Sequence, residues 1–409
     1  MNVINAASCN CNNILSSAAK IKERLEQNWA RFVKANSDRI SFDIMAGSTP
    51  PSIFVGHYGY PKVRIGPMIS SQHGDTTILG RTELWAGKKL EEIASYRLSL
   101  VLGTRNINVE DTSGRFVMDM QDLAMSERPA ESEAIFERNG LSDTDLKNEF
   151  RFDTGIPPFG PAAPLRAFKT WSLSSDQRIE AAHYDTDLRA AEAIMKLYMD
   201  GVETSIVERV FSLGMLGLKA KRRLVPTRWS ISATDDIISG TLVKQIEVNP
   251  TIDHYEVTQY SHLANDYSVI LIPDDVWRFE MLENWFLNSG QIASGGDYED
   301  ARRLKHNPTI AGAYFASRLA VAEHLARRRK RAAGLVLREI HPQYIISLGV
   351  WQIREGVRGA LKRRPQKFES LDRALSYACS YMSVSKNEVE RQSRLWRIFT
   401  SQTRISDFA

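Results

Sequence analysis

The sequence is poor in cysteine and has no long apolar run. Its 409 residues include three cysteines, Cys9, Cys11 and Cys379. Three are too few for a disulfide framework, which favours a reducing compartment and a cytoplasmic protein. No stretch of about 18 apolar residues occurs, so we expect no transmembrane helix. We also expect no signal peptide, because no basic segment followed by an apolar core opens the sequence.

Cys9 and Cys11 are the residues most open to a metal role. Two thiolates could supply half of a tetrahedral zinc site. The other half is missing nearby, because no histidine follows before His57. We therefore favour a non-metal role and predict no zinc here, with a distal or inter-subunit pair of ligands as the alternative. The cofactor, if there is one, stays unknown.

The charge of the chain is divided unevenly between its two parts. Residues 301–409 contain 22 Lys/Arg and 8 Asp/Glu, a net charge of +14, whereas the first 300 residues have a net charge of −10. A basic C-terminal third on an acidic body indicates a polyanionic partner that meets one face. The alternative is a basic surface that serves solubility.

Two clusters of cations lie within this basic third. We predict that both contact nucleic acid phosphates, giving salt-dependent binding that does not depend on sequence; the alternative is a solvated helix end. The clusters are Arg327, Arg328, Arg329, Lys330 and Arg331, and Lys362, Arg363 and Arg364. The first run lies in a predicted helix, and five consecutive residues turn more than once around a helix, so this turn cannot be deeply buried.

The hydrophobic pattern predicts an α+β fold with small mixed sheets packed by helices, a mainly helical C-terminal part and a flexible tail. Short strands are predicted at 53–55 and 62–65, and two strands of one sheet at 253–260 and 267–272. Helices are predicted at 14–34, 175–200, 309–333, 370–382 and 386–401. Ser385 and Glu388 have the spacing of a capping box before the last of these.

A proline-rich stretch suggests how the chain is divided. Residues 151–171 hold four prolines and two glycines, which indicates a linker or an ordered crossing loop. We place a soft boundary there. The predicted regions are an N-terminal α+β region (1–160), an α+β to helical region (161–401, basic after 301) and a tail (402–409).

Two motifs carry candidate ligand-binding or catalytic residues. Residues 56–64 combine glycines, His57, two tyrosines, Lys62 and Arg64, so a backbone could approach a ligand closely, cations could meet phosphate and a tyrosine could stack on a base. The alternative is an ordinary turn-rich β segment.

The second motif lies at residues 228–236. Arg228, Trp229 and Ser230 are followed by Asp235 and Asp236, a set that could line a polar pocket. The alternative is a buried tryptophan in a strand or loop, and a pair of aspartates that caps the following helix. No Gly-x-Ser-x-Gly elbow surrounds Ser230, so a hydrolase nucleophile has little support.

The last eight residues form a short peptide with a recognisable pattern. Gln402, Ile405, Phe408 and Ala409 give the pattern Q-x-x-I-x-x-F-A, which resembles the peptide by which repair and replication proteins bind the sliding clamp PCNA (the PIP box). Chain ends are usually accessible. The alternative is a frayed tail that carries Phe408 by chance.

Four longer segments resemble the archaeal Nre family of DNA-repair proteins, in particular those of the NreA type. They are GSTPPSIFVGHYGYPKVRIGPM (47–68), ELWAG (83–87), LVPTRWSISATDD (224–236) and REIHPQYIISLGVWQIREGVRGAL (338–361). The resemblance runs from about residue 40 to the end of the chain. It implies a cytoplasmic archaeal protein of the DNA-damage response that PCNA recruits to DNA.

The resemblance assigns the PIP positions to Gln402, Ile405 and Phe408. Ala409 stands where a second aromatic residue is usual, which implies weaker clamp binding. Some relatives carry an N-terminal cysteine cluster that resembles a zinc finger, but only Cys9 and Cys11 remain here, which argues against zinc. The resemblance supplies no catalytic residue.

Two functions of different classes follow. The first is a DNA-repair factor that binds PCNA through its tail and DNA through its basic third. The alternative is an enzyme that acts on nucleic acid or a nucleotide, with a phosphate ligand held in a cleft by the 56–66 and 228–236 motifs. Its candidate residues are His57, Arg64, Arg228, Ser230, Asp235 and Asp236. A scaffold between the clamp and another protein is a third option, and no membrane partner is expected.

Overall fold

The structure is a computed structural model that describes residues 2–5, 44–137, 160–287, 291–300, 304 and 307–401, with the backbone alone for 2–5. The strands in these ranges are Asn2–Asn5 (β1), Ile44–Thr49 (β2), Ile53–Val55 (β3), Lys62–Ser70 (β4), Leu100–Asn108 (β5), Ala130–Phe136 (β6), Ala162–Trp171 (β7), Tyr255–His262 (β8), Asn265–Ile272 (β9), Phe279–Phe286 (β10), Gln291–Glu299 (β11), Ala333–Ile340 (β12) and Gln366–Phe368 (β13).

The α-helices in the same ranges are Thr77–Gly80 (α1), Leu90–Leu98 (α2), Arg115–Met125 (α3), Gln177–Tyr184 (α4), Ala190–Met199 (α5), Thr204–Ser212 (α6), Thr227–Ile246 (α7), Gly312–Arg328 (α8), Trp351–Leu361 (α9), Leu371–Ser380 (α10), Lys386–Gln392 (α11) and Arg394–Ser401 (α12). Short 3-10 turns lie at Thr82–Trp85 and Lys219–Lys221. No helix in the described part of the chain is long and apolar enough to cross a membrane.

The chain divides into two compact units. The N-terminal unit consists of Ile21–Ile238 and Ile346–Gly349, and the C-terminal unit of Met1–Lys20, Ser239–Ile345 and Val350–Ala409. Residue 160, where the sequence suggested a boundary, lies within the span of the first unit.

Each unit is built on one mixed sheet. In the N-terminal unit the strand order is β2-β6-β7-β5-β4-β3, and only the β5–β7 pair is parallel among the described ladders. In the C-terminal unit the order is β1-β11-β10-β12-β9-β8-β13, with the β10–β12 pair parallel. The predicted α+β class is therefore confirmed.

Helices cover both faces of the C-terminal sheet. All eight residues of β12 are buried, as expected for a central strand with both faces covered. On one face Leu335 and Leu337 join a core with residues of α10, α11 and α12. On the other face, a Cβ at Gly334 would lie 3.1 Å from Val321 of α8, and Tyr267 accepts a hydrogen bond from Gln352 of α9 at 2.8 Å.

Several predicted elements are confirmed where the signal is local. The strands predicted at 253–260 and 267–272 are β8 and β9, which pair antiparallel around a tight turn. β3 and β4 contain the two predicted short strands. Ser385 caps α11 by accepting a hydrogen bond from the Glu388 N–H. The helix predicted at 14–34 lies outside the described residues.

Within the proline-rich stretch, Ala162–Trp171 form strand β7, so the prediction of a linker or loop is wrong for these residues, while 151–159 lie outside the described residues. Pro164 lies at the point where β7 leaves its short ladder with β5 and begins its ladder with β6. The missing proline N–H therefore removes little from either ladder, which explains why a central strand accepts it.

Two long predicted helices are each divided into two. The 175–200 segment forms α4 and α5, because Asp185 accepts a hydrogen bond from the Leu188 N–H at 3.1 Å and so competes with the helical pattern. The 386–401 segment forms α11 and α12, because Ser393 accepts a hydrogen bond from the Trp396 N–H at 3.0 Å and begins a new helix.

Candidate functional site

The first candidate site forms where the 56–64 loop meets the start of helix α7 in the N-terminal unit. The Val55 N–H donates to the Thr227 hydroxyl at 2.9 Å, and an Arg228 guanidinium nitrogen lies 3.4 Å from His57 Nε2. The loop turns at Gly59, whose φ is +80°, and the Lys62 N–H donates to the Gly59 carbonyl at 2.9 Å. The two sequence motifs therefore meet in space.

This junction presents three aromatic rings to solvent, which we call the aromatic platform: Tyr58, Tyr60 and Trp229. Tyr58 is 82% exposed, and Tyr60 and Trp229 are each 47% exposed. The Tyr60 and Trp229 ring centroids lie 5.6 Å apart. The sequence suggests stacking for the tyrosines, and for Trp229 it suggests a polar pocket with a buried tryptophan as the alternative. The structure places Trp229 on the surface, so the alternative is wrong.

The remaining candidates of the second motif lie inside helix α7. The helix begins at Thr227 after Pro226, a residue that favours the first turn. Asp235 and Asp236 are therefore in its third turn, so the prediction that they cap it is wrong. Ser230 and Asp235 are fully buried, and the Ser230 hydroxyl donates to the Thr227 carbonyl at 2.9 Å.

Arg64 is an exposed residue of β4, between the buried Val63 and Ile65. The structure thus brings together His57 and Arg228, with Arg64 on the adjoining strand. It leaves Ser230 and Asp235 in the interior. The enzyme hypothesis stays a prediction.

The second candidate site is formed by the two cation clusters of the C-terminal unit. Arg328 makes a bidentate ion pair with Glu256 of β8, with one of its two hydrogen bonds at 2.9 Å. Arg331 pairs with Asp275 at 3.0 Å and donates to the Glu247 carbonyl at 2.7 Å. Within the described part of the chain, the other cations of the two clusters make no ion pair.

An internal ion pair brings the two clusters to the same region. Arg358 of α9 donates two hydrogen bonds to Glu323 of α8, at 2.8 and 2.6 Å. Arg327 follows Glu323 by four residues, and Lys362 follows Arg358 by four. Each cluster therefore begins about 6 Å along its helix direction from this pair.

Strand β8 provides a second link between the clusters. Glu256 and Tyr260 are four residues apart on β8 and so face the same side of the sheet. Glu256 binds Arg328, and the Arg363 guanidinium lies 5.4 Å from the centre of the Tyr260 ring. We call the resulting region the basic surface: Arg327, Arg329, Lys330, Lys362, Arg363 and Arg364.

Burial and the charge of the arginines together set the ionisation of the groups beneath this surface. Burial alone would raise the pKa of Glu256, but hydrogen bonds and charge from Arg328 outweigh it and hold the pKa below its ordinary value. Burial, followed by the charges of Arg328 and Arg327, lowers the pKa of His324 to about 4. The basic surface thus has a carboxylate and a neutral imidazole beneath it.

The 338–341 motif gives a compact polar group that the sequence analysis left unassigned. His341 Nε2 lies 2.7 Å from an Asp266 carboxylate oxygen, and the Glu339 carboxylate accepts the Ser383 and Val384 N–H groups. One ligand atom from each of Asp266, Glu339 and His341 lies within 4.8 Å of the others. These hydrogen bonds already account for all three side chains, so we give them a structural role.

Arg338 has a structural role as well. It donates to Glu283, to Asn265 at 2.9 Å and to Gln352 at 3.2 Å, and its side chain is almost fully buried. A buried arginine needs such partners on each nitrogen. The first four residues of the 338–361 segment therefore have structural roles.

The N-terminal unit also contains a pocket of about 440 Å³, lined by residues between 189 and 225, that the sequence did not predict. Its lining includes Phe211, Leu216 and four cations. One of these cations, Arg222, donates to the carbonyls of Gly217, His183 and Asp185 at 2.7–2.8 Å. That arginine therefore has a structural role in shaping the pocket.

The other predicted site residues lie outside the described residues. They are Cys9 and Cys11, and the PIP positions Gln402, Ile405, Phe408 and Ala409. The PIP segment directly follows α12, which ends at Ser401.

Comparison with known proteins gives the family. A family described as "Archaeal Nre, N-terminal" matches residues 23–290, and one described as "Archaeal Nre, C-terminal" matches residues 299–408. The chain belongs to the archaeal Nre family. Both motifs of the aromatic platform and both clusters of the basic surface lie within the matched ranges.

Three curated relatives of the Nre family are similar over most of the chain. DNA repair protein NreA of Archaeoglobus fulgidus is 35% identical over 88% of this chain and 89% of its own length. DNA repair protein NreB of the same organism is 36% identical over 83% and 85%. DNA repair protein NreA of Haloferax volcanii is 31% identical over 95% and 94%. No solved structure matches the chain.

Proposed function

We propose that this Nre chain is a DNA-repair factor that contacts DNA through its basic surface and binds a sliding clamp through its C-terminal peptide. The single observation that carries the proposal is the convergence of the two cation clusters on one region of the C-terminal unit. The repair names of the three relatives support the choice of DNA as the polyanion.

The geometry of the basic surface favours phosphate contact over a merely solvated helix end. The ion pair of Arg358 with the buried Glu323 links the helices that precede the two clusters, and Arg328 is held by Glu256. The six remaining cations project from a rigid base, which lowers the entropy lost when they meet a phosphate backbone. Such contacts release counterions, so the affinity falls as salt rises.

The test of DNA contact is duplex binding by the full chain over a range of salt concentrations. Replacing Arg329, Lys330, Lys362 and Arg364 by glutamine should weaken binding and flatten its salt dependence. Lys89→Gln with Lys244→Gln is a control, because both lysines are exposed and outside the basic surface. Equal losses in both variants would count against the surface.

The clamp proposal depends on residues 402–409. Gln402, Ile405 and Phe408 match three PIP positions, and the peptide follows directly after helix α12. A peptide with this pattern can place two apolar side chains in a pocket while the glutamine hydrogen-bonds beside it. Ala409 in place of a second aromatic residue suggests a modest affinity.

The clamp test compares variants of the tail by calorimetry against archaeal PCNA. Ile405→Ala with Phe408→Ala should abolish binding, as should removal of 402–409. Ser406→Ala is the matched control, because it changes a residue between the motif positions. Undiminished binding by the truncated chain would rule out the tail as the docking peptide.

We also propose a cytoplasmic location, on the cysteine content alone.

A further inference from the structure

The aromatic platform of the N-terminal unit is not used by the proposed clamp and duplex contacts. Three rings on adjoining elements stay in solvent, with Tyr58 82% and Tyr60 and Trp229 47% exposed. Single exposed apolar side chains are ordinary, but the Tyr60 and Trp229 rings lie side by side with Tyr58 on the same loop. Large exposed apolar patches mark interaction sites, so we ask which ligand this group fits.

The platform is rigid enough to bind without large rearrangement. The bond from the Val55 N–H to the Thr227 hydroxyl joins the loop to helix α7. The contact of Arg228 with His57 adds a second link, and the Tyr60 and Trp229 rings touch across the junction. Preorganised rings lose little entropy when a flat ligand stacks on them.

Cations adjoin the rings on strand β4. Lys62 and Arg64 point away from the core because Val63 and Ile65, which alternate with them, are fully buried. Their partners across the ladder to β5 are the neutral residues Asn108 and Asn106. In the described part of the chain neither cation has an ion pair, although the first 300 residues carry a net charge of −10.

Rings beside uncompensated cations suit one class of ligand. Nucleobases stack on aromatic side chains while lysine and arginine meet the phosphates, and every base offers a flat face for this. In a duplex those faces are covered by neighbouring base pairs, so the ligand must have unpaired bases. A peptide with apolar side chains would leave Lys62 and Arg64 without partners.

We propose that the aromatic platform binds single-stranded DNA, with a base stacked on Tyr60 or Trp229 and the adjacent phosphates on Lys62 and Arg64. The choice of DNA rests on the proposed function. The stacking itself rests on the geometry of the platform. Such a site would let a repair factor hold a strand that has lost its pairing.

The test uses the full chain and a fluorescent oligonucleotide of mixed sequence, in single-stranded and duplex forms. Trp229→Ala and Tyr60→Ala should each weaken single-strand binding by about tenfold, as base–aromatic stacking in other proteins indicates. Trp229→Phe and Tyr60→Phe should retain most of the affinity, because a ring remains. Duplex affinity should be the same in all four variants.

Trp171→Ala is the matched control. Trp171 is 49% exposed and lies in the same unit, on β7, outside the platform. Its loss should leave single-strand binding unchanged, and thermal unfolding of every variant checks that the unit stays folded. Wild-type affinity in Trp229→Ala, or an equal loss in Trp171→Ala, would overturn the proposal.

Two further outcomes separate this proposal from the duplex contact. If duplex binding is absent while the platform variants still lose single-strand affinity, the proposed function fails and the platform stands. If an RNA oligomer of the same sequence binds more tightly than the DNA and depends on Trp229, the assignment to DNA is overturned.

Discussion

Charge neutralisation on the basic surface should change the salt dependence of duplex binding in a calculable way. The structure leaves six cations without an ion pair in the described residues, while Arg328 and Arg331 are held by Glu256 and Asp275. If all six meet phosphates, the slope of log affinity against log salt is about −5 at its steepest, since each contact contributes about −0.9.

The quadruple glutamine variant at Arg329, Lys330, Lys362 and Arg364 leaves two of those contacts. Its slope should therefore fall to about −2. Between 50 and 200 mM salt the wild-type affinity should drop by about 10³-fold and that of the variant by about tenfold. Fluorescence anisotropy with a short duplex at four or five salt concentrations measures both slopes.

Arg328→Gln distinguishes surface cations from structural ones. It lies in the same run, but its charge already neutralises Glu256, whose side chain is 5% exposed. We expect the slope of log affinity against log salt to stay near the wild-type value. The free energy of unfolding should fall by about 1–3 kcal/mol, a range that already allows for solvent screening at the partly exposed arginine. An unchanged slope in the quadruple variant, or an equal change in Arg328→Gln, would refute the assignment of the surface.

Three further predictions concern the stability of the C-terminal unit. Burial and the neighbouring arginines lower the pKa of His324 to about 4. Between pH 6.5 and 4 the unfolded chain therefore takes up more protons than the folded chain, so the free energy of unfolding falls as pH falls through that window. His324→Gln should remove on the order of 3 kcal/mol of this fall, measured by urea titrations. Glu280→Ala should cost about 1–3 kcal/mol and reduce hydrogen-exchange protection in α12, because the buried carboxylate accepts the first N–H groups of that helix. Gly356→Ala should lower the free energy of unfolding by about 1–3 kcal/mol in thermal unfolding, because the new Cβ would lie 2.3 Å from the Tyr267 ring. The same substitution in a Tyr267→Leu background should lower it by less. An equal loss in both backgrounds would exclude this clash.

Elements with a strong local pattern could be predicted from the sequence. The patterns at 253–260 and 267–272 predicted β8 and β9, because each strand buries one face or both and the turn residues between them are few. Elements that depend on contacts with distant residues could not be predicted from the sequence. The division between α11 and α12 follows from Ser393, whose hydroxyl also donates to Glu280, 113 residues away.

The candidate sites show the same difference. The glycine–tyrosine motif and the 228–229 pair were both visible, but their junction depends on a contact of His57 with Arg228 across 171 residues. Residues 338–341 open a segment that resembles the Nre family, yet their side chains bind Asn265, Asp266 and the Ser383 N–H of the same unit. Residue types alone cannot distinguish these cases, since a buried network and an open site use the same polar groups.

Four properties follow from the order of the amino acids alone: the family, the α+β class, the concentration of positive charge after residue 301 and the PIP pattern of the tail. These are properties of composition, periodicity and local spacing, which need no fold. The tertiary structure decided which cations remain uncompensated, because Glu256 reaches Arg328 from 72 residues away. It also decided that Asp235 is interior while Trp229 is exposed, because helix α7 begins at Thr227 and the packing of the helix buries one face.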